Sequence, residues 1–170
     1  MSHRRIEQAA NPRLLDSTDS GLYILWLALA EDQRIRIGLL GTYDFRAGLY
    51  AYVGSAQRRR SARIQRHLLR EKPAHWHIDY LRPYGQVVAV SLVDGTRSHE
   101  CQLASRLTVA LGARVAVLRF GASDCRCPGH LLVLPDRRLL DATGFGQEGA
   151  AFDTAPWRRL GFLTHLASQE

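Results

Sequence analysis

The stretch from Gly48 to His67, GLYAYVGSAQRRRSARIQRH, predicts a strand, a turn of small residues and the first turns of a helix. Its first residues are aromatic and β-branched, as in a strand, and Gly-Ser-Ala then marks a turn. From residue 61 onward the spacing is helical, so Arg63 and His67 lie one turn apart on one face. Tyr52 therefore presents a phenol beside a guanidinium and an imidazole. The alternative is an ordinary strand–helix turn with a solvated basic helix.

The remaining patterns predict further strands and one long helix around this stretch. Residues 21–30 are apolar on both faces, which is typical of a central strand covered on both sides. The alternating segment 34–40 predicts a half-exposed strand that forms a hairpin with it, and 41–47 predicts a loop. The other predicted elements are strands over 86–93, 114–120 and 130–134 and a helix over 99–111.

Composition indicates one globular domain with an anionic partner. The chain has 170 residues, of which 46% are hydrophobic and 23% charged, enough to bury a core. The net charge is +7 and the isoelectric point is near 9.9, which favours an anionic partner; nucleic acid is the commonest, and membrane surfaces and acidic proteins are the alternatives. Lys72 is the only lysine, so GC-rich coding is an alternative explanation for the excess of arginine.

The termini and the cysteines bear on location. The sequence has no apolar signal segment, no run long enough to span a bilayer, and three cysteines, which do not make a disulfide framework. We therefore expect a cytoplasmic protein without a membrane partner, and the oligomeric state stays open. Loop signals predict a flexible N-terminal arm over 1–20, a domain over 21–134, and an extension over 135–170 that packs on that domain or is partly mobile.

Five polar side chains are predicted to project from ordered elements toward one place. Glu100 begins the apolar stripe of the helix at 99–111, which directs its carboxylate toward the core side; the alternative is a Glu favoured only by the helix dipole. A carboxylate holds Mg²⁺ through oxygen, an arginine binds phosphate through two N–H groups, and a phenol or imidazole orients or deprotonates water. Together they suit a one-metal phosphodiesterase. The predicted catalytic residues are Tyr23, Tyr52, Arg63, His67 and Glu100.

In these motifs the chain resembles the GIY-YIG nuclease superfamily. The two motifs that name the superfamily correspond to Gly21-Leu22-Tyr23 and Tyr52-Val53-Gly54, followed by Arg63, His67 and the metal-binding Glu100. Over 21–134 the chain resembles more closely an archaeal and bacterial branch, domain of unknown function 123, which is sometimes fused to base-excision DNA glycosylases. The fingerprints of that branch are the block at 45–56, His67, HWHIDYL at 75–81, Glu100-Cys101, and FGASDCRC at 120–127 with His130.

The resemblance implies an α+β (α/β) fold, with a small mixed β-sheet flanked by helices and extra strands inserted between and after the motifs. It also implies a metal-dependent DNA endonuclease in repair or recombination, with Mg²⁺ or Mn²⁺ on Glu100. The chain departs from the superfamily at three points. The two name motifs lie far apart, with the predicted strand at 34–40 between them. A second Gly-Leu-Tyr ends at Tyr50 and competes with Tyr23 for the first motif, and the last catalytic Asn has no counterpart because Asn11 is the only asparagine. The alternative function is a catalytically weak or inactive nucleic-acid-binding or repair-accessory module.

Arginines next to the second motif predict a track that binds DNA phosphates beside the site. With Arg63, six arginines fall within thirteen residues. A solvated helix face is the alternative, because runs of charge often serve only solvation. The predicted track consists of Arg58, Arg59, Arg60, Arg66 and Arg70.

The loop near residue 125 contains ligand types that suit zinc. Cys125, Cys127 and His130 are the candidates, with His77 as a possible fourth ligand beside Cys101, His75 and His99. The Cys-x-Cys spacing is tighter than the usual Cys-x-x-Cys, so the favoured interpretation is a tight loop with small buried thiols.

The segment 75–81, HWHIDYL, allows a second metal hypothesis. Its two histidines and its aspartate share one side if it is a strand and spread around it if it is a helix. The favoured interpretation is a polar segment packed through Trp76, Ile78 and Leu81, because such clusters often satisfy ordinary hydrogen bonds.

Overall fold

The computed structural model describes residues 19–136 and the strand at 163–166. Four strands come first in the chain, followed by two helices, a strand, the longest helix and three short strands. Their bounds are β1 Gly21–Leu29, β2 Gln33–Ile37, β3 Gly41–Phe45, β4 Gly48–Ala56, α1 Arg60–Leu68, α2 His77–Leu81, β5 Gln86–Val93, α3 Glu100–Leu111, β6 Arg114–Val115, β7 Leu131–Val133 and β8 Leu163–Leu166.

A six-stranded sheet in the order β6-β7-β4-β1-β5-β8 forms the centre of the fold. The prediction of an α+β fold with strands inserted between and after the motifs is confirmed. The sheet is not mixed, however, because each of its pairings is antiparallel. The strand predicted as central, β1, does lie between two long neighbours, β4 and β5, and all nine of its residues are buried.

Side chains that alternate along β1 build two cores, one on each face of the sheet. On one face Tyr23, Leu25 and Leu27 pack with residues of α1, α2 and the β2–β3 hairpin. On the other face Leu22 and Ile24 pack with the apolar stripe of α3. β1 is therefore apolar at nearly every position because packed elements cover both faces of the sheet.

The predicted hairpin of the segment 34–40 with the first strand is wrong. β2 pairs with β3 in a separate two-stranded sheet, and the predicted loop at 41–47 contains β3. Both edges of β1 are already paired with longer strands, so no edge is left for β2. The hairpin instead lies over a sheet face and buries Ile35, Ile37 and Phe45 in the core there.

The helices and the last strands differ from the predictions mainly in length. The segment 75–81 is helical from His77, and the predicted strand at 114–120 is reduced to the two residues of β6. α3 agrees closely with its prediction and ends at Gly112, whose left-handed φ of 63° suits a residue without a side chain. The interpretation of 75–81 as packed through its apolar residues is confirmed, since Ile78 and Leu81 are buried.

Most of the predicted arm at 1–20 and extension at 135–170 lie outside the described residues. Asp19, at the end of the arm, accepts hydrogen bonds from the Ser61 main-chain N–H and hydroxyl, and so satisfies a donor at the start of α1. A search of the described residues for a helix long and apolar enough to cross a membrane finds none.

Candidate functional site

A polar cleft of about 630 Å³ opens where the ends of β1 and β4 meet α1 and the start of α3. It brings together four of the five predicted catalytic residues: Tyr23, Tyr52, Arg63 and Glu100. Two strands, three helices and the segments that connect them contribute to its walls, so the site depends on the whole fold. The fifth residue, His67, lies beneath the cleft and is 1% exposed.

Gly54 makes the room in which Tyr23 lies. The two residues are opposite each other on β1 and β4, and a Cβ at position 54 would come within 2.6 Å of Cζ and Oη of Tyr23. Only a glycine therefore lets the phenol lie across the neighbouring strand. Tyr52, paired with Leu25, projects from the same face and packs edge-on against Phe120 and His67. The two motifs thus form one interlocked pair.

Tyr23, His67 and Asp79 form a buried chain of polar groups. The Tyr23 hydroxyl lies 2.9 Å from Nε2 of His67, and Nδ1 of His67 lies 3.8 Å from Oδ1 of Asp79. In the tautomer with its proton on Nδ1, toward the carboxylate, Nε2 accepts a hydrogen bond from the Tyr23 hydroxyl. His67 therefore reaches the cleft through its contact with the Tyr23 hydroxyl.

Burial controls the ionisation of these polar groups. Desolvation raises the pKa of both Tyr23 and Tyr52 well above 10, and it lowers the pKa of His67, so the imidazole is neutral at pH 7. Asp79 behaves oppositely: burial opposes its charge, but the nearby His67 and hydrogen bonds from the main chain of residues 75 and 76 hold its pKa far below the ordinary value. The phenols are therefore protonated in the absence of a further positive charge.

Arg63 is held at the cleft wall by two contacts. Its Nη1 donates a 2.7 Å hydrogen bond to the main-chain oxygen of Ser55, and its guanidinium carbon lies 5.0 Å from the ring centre of Trp76. Arg66 packs against the same ring at 4.7 Å. The first contact leaves other N–H groups of the Arg63 fork for an anion in the cleft.

Glu100 begins α3 and lines the cleft with a side chain that is 13% exposed. Its Oε2 lies 3.3 Å from Nδ1 of His130, a buried residue, which leaves Oε1 for a cation. Mg²⁺ retains several waters and is commonly held by one or two carboxylates, so a single Glu in a polar cleft fits such an ion. The other acid at the cleft, Asp124, is paired with Arg97.

The structure divides the predicted arginine track. Arg58 and Arg59 are exposed, and Arg58 lines the cleft. Arg60 is removed from the track, because it is 3% exposed and its Nη1 donates to the main-chain oxygens of Leu22 and Val93.

The two arginines later in the track are engaged by the segment after α1. Arg66 donates to Asp79 Oδ2 at 2.9 Å and to the Pro73 oxygen at 2.7 Å. Arg70 is exposed and donates to the Pro83 oxygen at 3.0 Å. Neither of them lines the cleft.

The cysteine loop converges on the start of α3. One potential ligand atom from each of Cys101, Cys125, Cys127 and His130 lies within 4.8 Å of the other three. His77, named as a ligand from the sequence, lies outside this cluster, and its Nδ1 accepts a hydrogen bond from the Gly121 N–H. The fourth member is therefore Cys101.

Sequence reasoning missed the roles of Trp76 and Asp79. Trp76 lines the cleft, and the guanidinium groups of Arg63 and Arg66 pack on its ring. Asp79 joins α2 to α1 through its ion pair with Arg66 and lies 3.4 Å from Nζ of Lys72. The available signal was the HWHID spacing just after a basic helix, because a buried acid there needs basic partners.

Comparison with known proteins gives one match. Residues 22–144 match the family model described as "Domain of unknown function DUF123". Neither the curated proteins nor the solved structures contain a match to this chain.

Proposed function

The chain belongs to the DUF123 family, and we propose that it is a metal-dependent DNA endonuclease of GIY-YIG type that acts in DNA repair or recombination. The observation that carries the proposal is the cleft, which collects the Arg63 guanidinium, the Tyr23 phenol and the Glu100 carboxylate at one place. These groups supply an anion clamp, a proton-transfer group and a cation ligand, the three parts that hydrolysis of a phosphodiester requires.

Glu100 is the residue that would hold Mg²⁺ or Mn²⁺. When bound, such an ion supplies charge neutralisation at the phosphate and at the leaving oxygen. The protein's own contribution is to fix the carboxylate: Glu100 sits at the start of a helix, and His130 faces one of its oxygens at 3.3 Å. The other oxygen would bind the cation in the cleft that Arg63 also lines.

Arg63 would bind the phosphate that is cleaved. Its guanidinium is oriented by the Ser55 oxygen and by Trp76, so little side-chain freedom remains to be lost when substrate arrives. A planar fork donates two parallel hydrogen bonds to phosphate oxygens and stabilises the extra charge of the transition state.

Tyr23 would orient the attacking water and take its proton. The buried phenol passes its own proton toward Nε2 of His67, and the resulting imidazolium is stabilised by Asp79 behind it. The high pKa of Tyr23 opposes this transfer in the free protein. The positive charge of Arg63 and of a bound cation acts in the favourable direction, since both stabilise a phenolate.

DNA would reach the cleft along its basic rim. Arg58 lines the cleft and Arg59 beside it is exposed, so both would neutralise DNA phosphates next to the cleft. The net charge of +7 adds a long-range attraction for any nucleic acid.

A nucleic-acid-binding module with weak or no catalysis is the second candidate. The observation that favours it is that the last catalytic asparagine of the GIY-YIG superfamily has no counterpart here, because the only asparagine, Asn11, precedes the domain. In the described part of the cleft, Ser123 and Asp124 are the polar residues of the last loop, and Asp124 is already paired with Arg97.

A cleavage screen separates the two candidates. Supercoiled, nicked, branched and base-damaged DNA are incubated with the purified protein and Mg²⁺ or Mn²⁺, and binding is measured on the same substrates with Ca²⁺. The nuclease proposal expects metal-dependent strand breaks on at least one substrate. Binding without breaks in either metal would assign the protein to the second candidate, and absence of both at low salt would remove nucleic acid as the partner.

A further inference from the structure

We propose that Cys101, Cys125, Cys127 and His130 form a structural zinc site, with His130 binding through Nε2. This site is separate from the cation position at Glu100 and is independent of whether the cleft cleaves DNA. Zinc is bound in structural sites by four cysteine and histidine ligands, and three thiolates with one imidazole make a known set.

Two of the separations between ligand atoms match those around one zinc ion, and the two that involve Cys127 are shorter. Zn–S bonds of about 2.3 Å in a tetrahedron place ligand atoms about 3.8 Å apart. Nε2 of His130 lies 3.7 Å from Sγ of Cys101, 3.6 Å from Sγ of Cys125 and 2.7 Å from Sγ of Cys127, and the two loop sulfurs are 3.0 Å apart. Both short separations involve Cys127, so an outward shift of this one thiol brings them toward the tetrahedral value.

Main-chain contacts hold the loop in the shape that this cluster needs. The His130 N–H donates to the Phe120 oxygen at 2.7 Å, and the His130 oxygen accepts from the Val53 N–H at 2.9 Å. Nη1 of Arg119 donates to the Cys125 oxygen at 2.6 Å. Histidine and thiols are therefore presented from a fixed loop toward Cys101, which projects from the first turn of α3.

His130 has the second partner that a zinc-bound histidine usually has. Its Nδ1 faces Oε2 of Glu100 at 3.3 Å, an arrangement in which a carboxylate fixes the tautomer that offers Nε2 to the metal. The same contact ties the zinc site to the cleft, because the ion would orient His130 and His130 in turn orients Glu100.

Other occupants of the cluster explain fewer of its features. A disulfide between Cys125 and Cys127 would use two thiols and leave Cys101 and the buried His130 without a role. An iron–sulfur cluster places several irons and sulfides among its thiolates, whereas all four ligand atoms here lie within 4.8 Å of one another. One mononuclear ion uses every member.

The test is metal analysis of the full chain purified under reducing conditions without a metal-affinity tag. We expect one zinc ion per chain, and X-ray absorption at the zinc edge that fits three sulfurs at about 2.3 Å and one nitrogen at about 2.0 Å. Protein stripped of zinc and titrated with Co²⁺ should show the visible bands of a tetrahedral site and near-ultraviolet sulfur-to-cobalt charge transfer.

Two histidine variants provide the matched comparison. In His130→Ala the zinc content per chain should fall at least tenfold. His77→Ala changes a nearby residue outside the cluster and should keep the wild-type zinc content. Co²⁺ titration of stripped wild type decides the matter even if His130→Ala fails to fold. Wild-type protein that neither contains zinc nor binds Co²⁺ would overturn the proposal, as would iron with sulfide, a disulfide in its place, or zinc that persists in folded His130→Ala.

Discussion

Replacing Arg63 separates the proposed chemistry from the fold. The side chain has two structural contacts, the 2.7 Å hydrogen bond to the Ser55 oxygen and the packing on Trp76 at 5.0 Å. It also lines the cleft where a phosphate would bind. Arg63→Ala removes the hydrogen bond, the packing on Trp76 and the positive charge at the cleft. Arg63→Lys keeps a positive charge but loses the planar fork.

The contacts set the expected magnitudes. A partly exposed charged hydrogen bond and one cation–π contact predict that Arg63→Ala lowers the free energy of unfolding by about 1–2 kcal/mol. Loss of a transition-state donor predicts a fall of about 10²–10³-fold in the rate of cleavage. Binding of DNA should weaken much less, because Arg58 and Arg59 remain.

Arg66→Ala is the matched control for this prediction. Arg66 packs against the same tryptophan at 4.7 Å and donates to Asp79, so its loss destabilises the same helix, but it does not line the cleft. Single-turnover cleavage and equilibrium binding are compared for wild type and the three variants, with the folded fraction measured by circular dichroism. Arg66→Ala should cleave at nearly the wild-type rate per folded molecule.

The reasoning is refuted by either of two results. Equal single-turnover rates for wild type, Arg63→Ala and Arg63→Lys would mean that the guanidinium does not contact the reacting phosphate. An equal loss in Arg63→Ala and Arg66→Ala would assign the effect to the packing of the helix on Trp76 and not to a phosphate clamp.

Three further predictions follow from other parts of the site. Gly54→Ala should cost about 1–3 kcal/mol and reduce cleavage more than DNA binding, because its Cβ displaces the Tyr23 phenol; unchanged unfolding and cleavage would contradict this. Asp79→Asn should cost about 3–5 kcal/mol at pH 7, because the carboxylate is buried among basic partners. The folded pKa of Asp79 lies below the unfolded value, so this contribution is present above about pH 4 and declines as the pH falls below it, which urea unfolding at several pH values measures. Replacing Arg58 and Arg59 by alanine should lower the salt slope of DNA binding by about two units, while Arg106→Ala, an exposed control on α3, should lower it less.

The elements with strong local patterns could be predicted from the sequence. β1 is apolar on both faces because two layers cover it, and α3 has a continuous apolar stripe and is followed by Gly112. The sequence therefore predicts the bounds of both elements nearly to the residue. The partner of β2 could not be predicted, because alternation indicates a half-buried strand but carries no information on which edge it pairs with.

The residues of the candidate site could be predicted from the sequence, but not which of them line the cleft and which are buried beneath it. Helical spacing placed Arg63 and His67 on one face, yet only the packing of Trp76 and the tyrosines over the imidazole makes one a cleft residue and the other buried. Runs of arginine look alike in sequence, and Arg60 was misassigned because its carbonyl partners come from β1 and β5. Cys101 is one of several candidates for the fourth ligand because it lies 24 residues before Cys125, and sequence spacing does not show that the two meet.

The most direct test of the proposed nuclease is the dependence of cleavage on Mg²⁺ concentration for wild type and Glu100→Gln. The amide keeps the size of the side chain but removes the charge that would hold the ion, and zinc content is measured in both proteins so that a change at His130 is recognised. We predict metal-dependent cleavage by wild type on the substrate found in the screen, and in Glu100→Gln a rate lower by at least about 10²-fold with DNA binding retained. Cleavage by Glu100→Gln at the wild-type rate, with the same Mg²⁺ dependence, would contradict the assignment of the site.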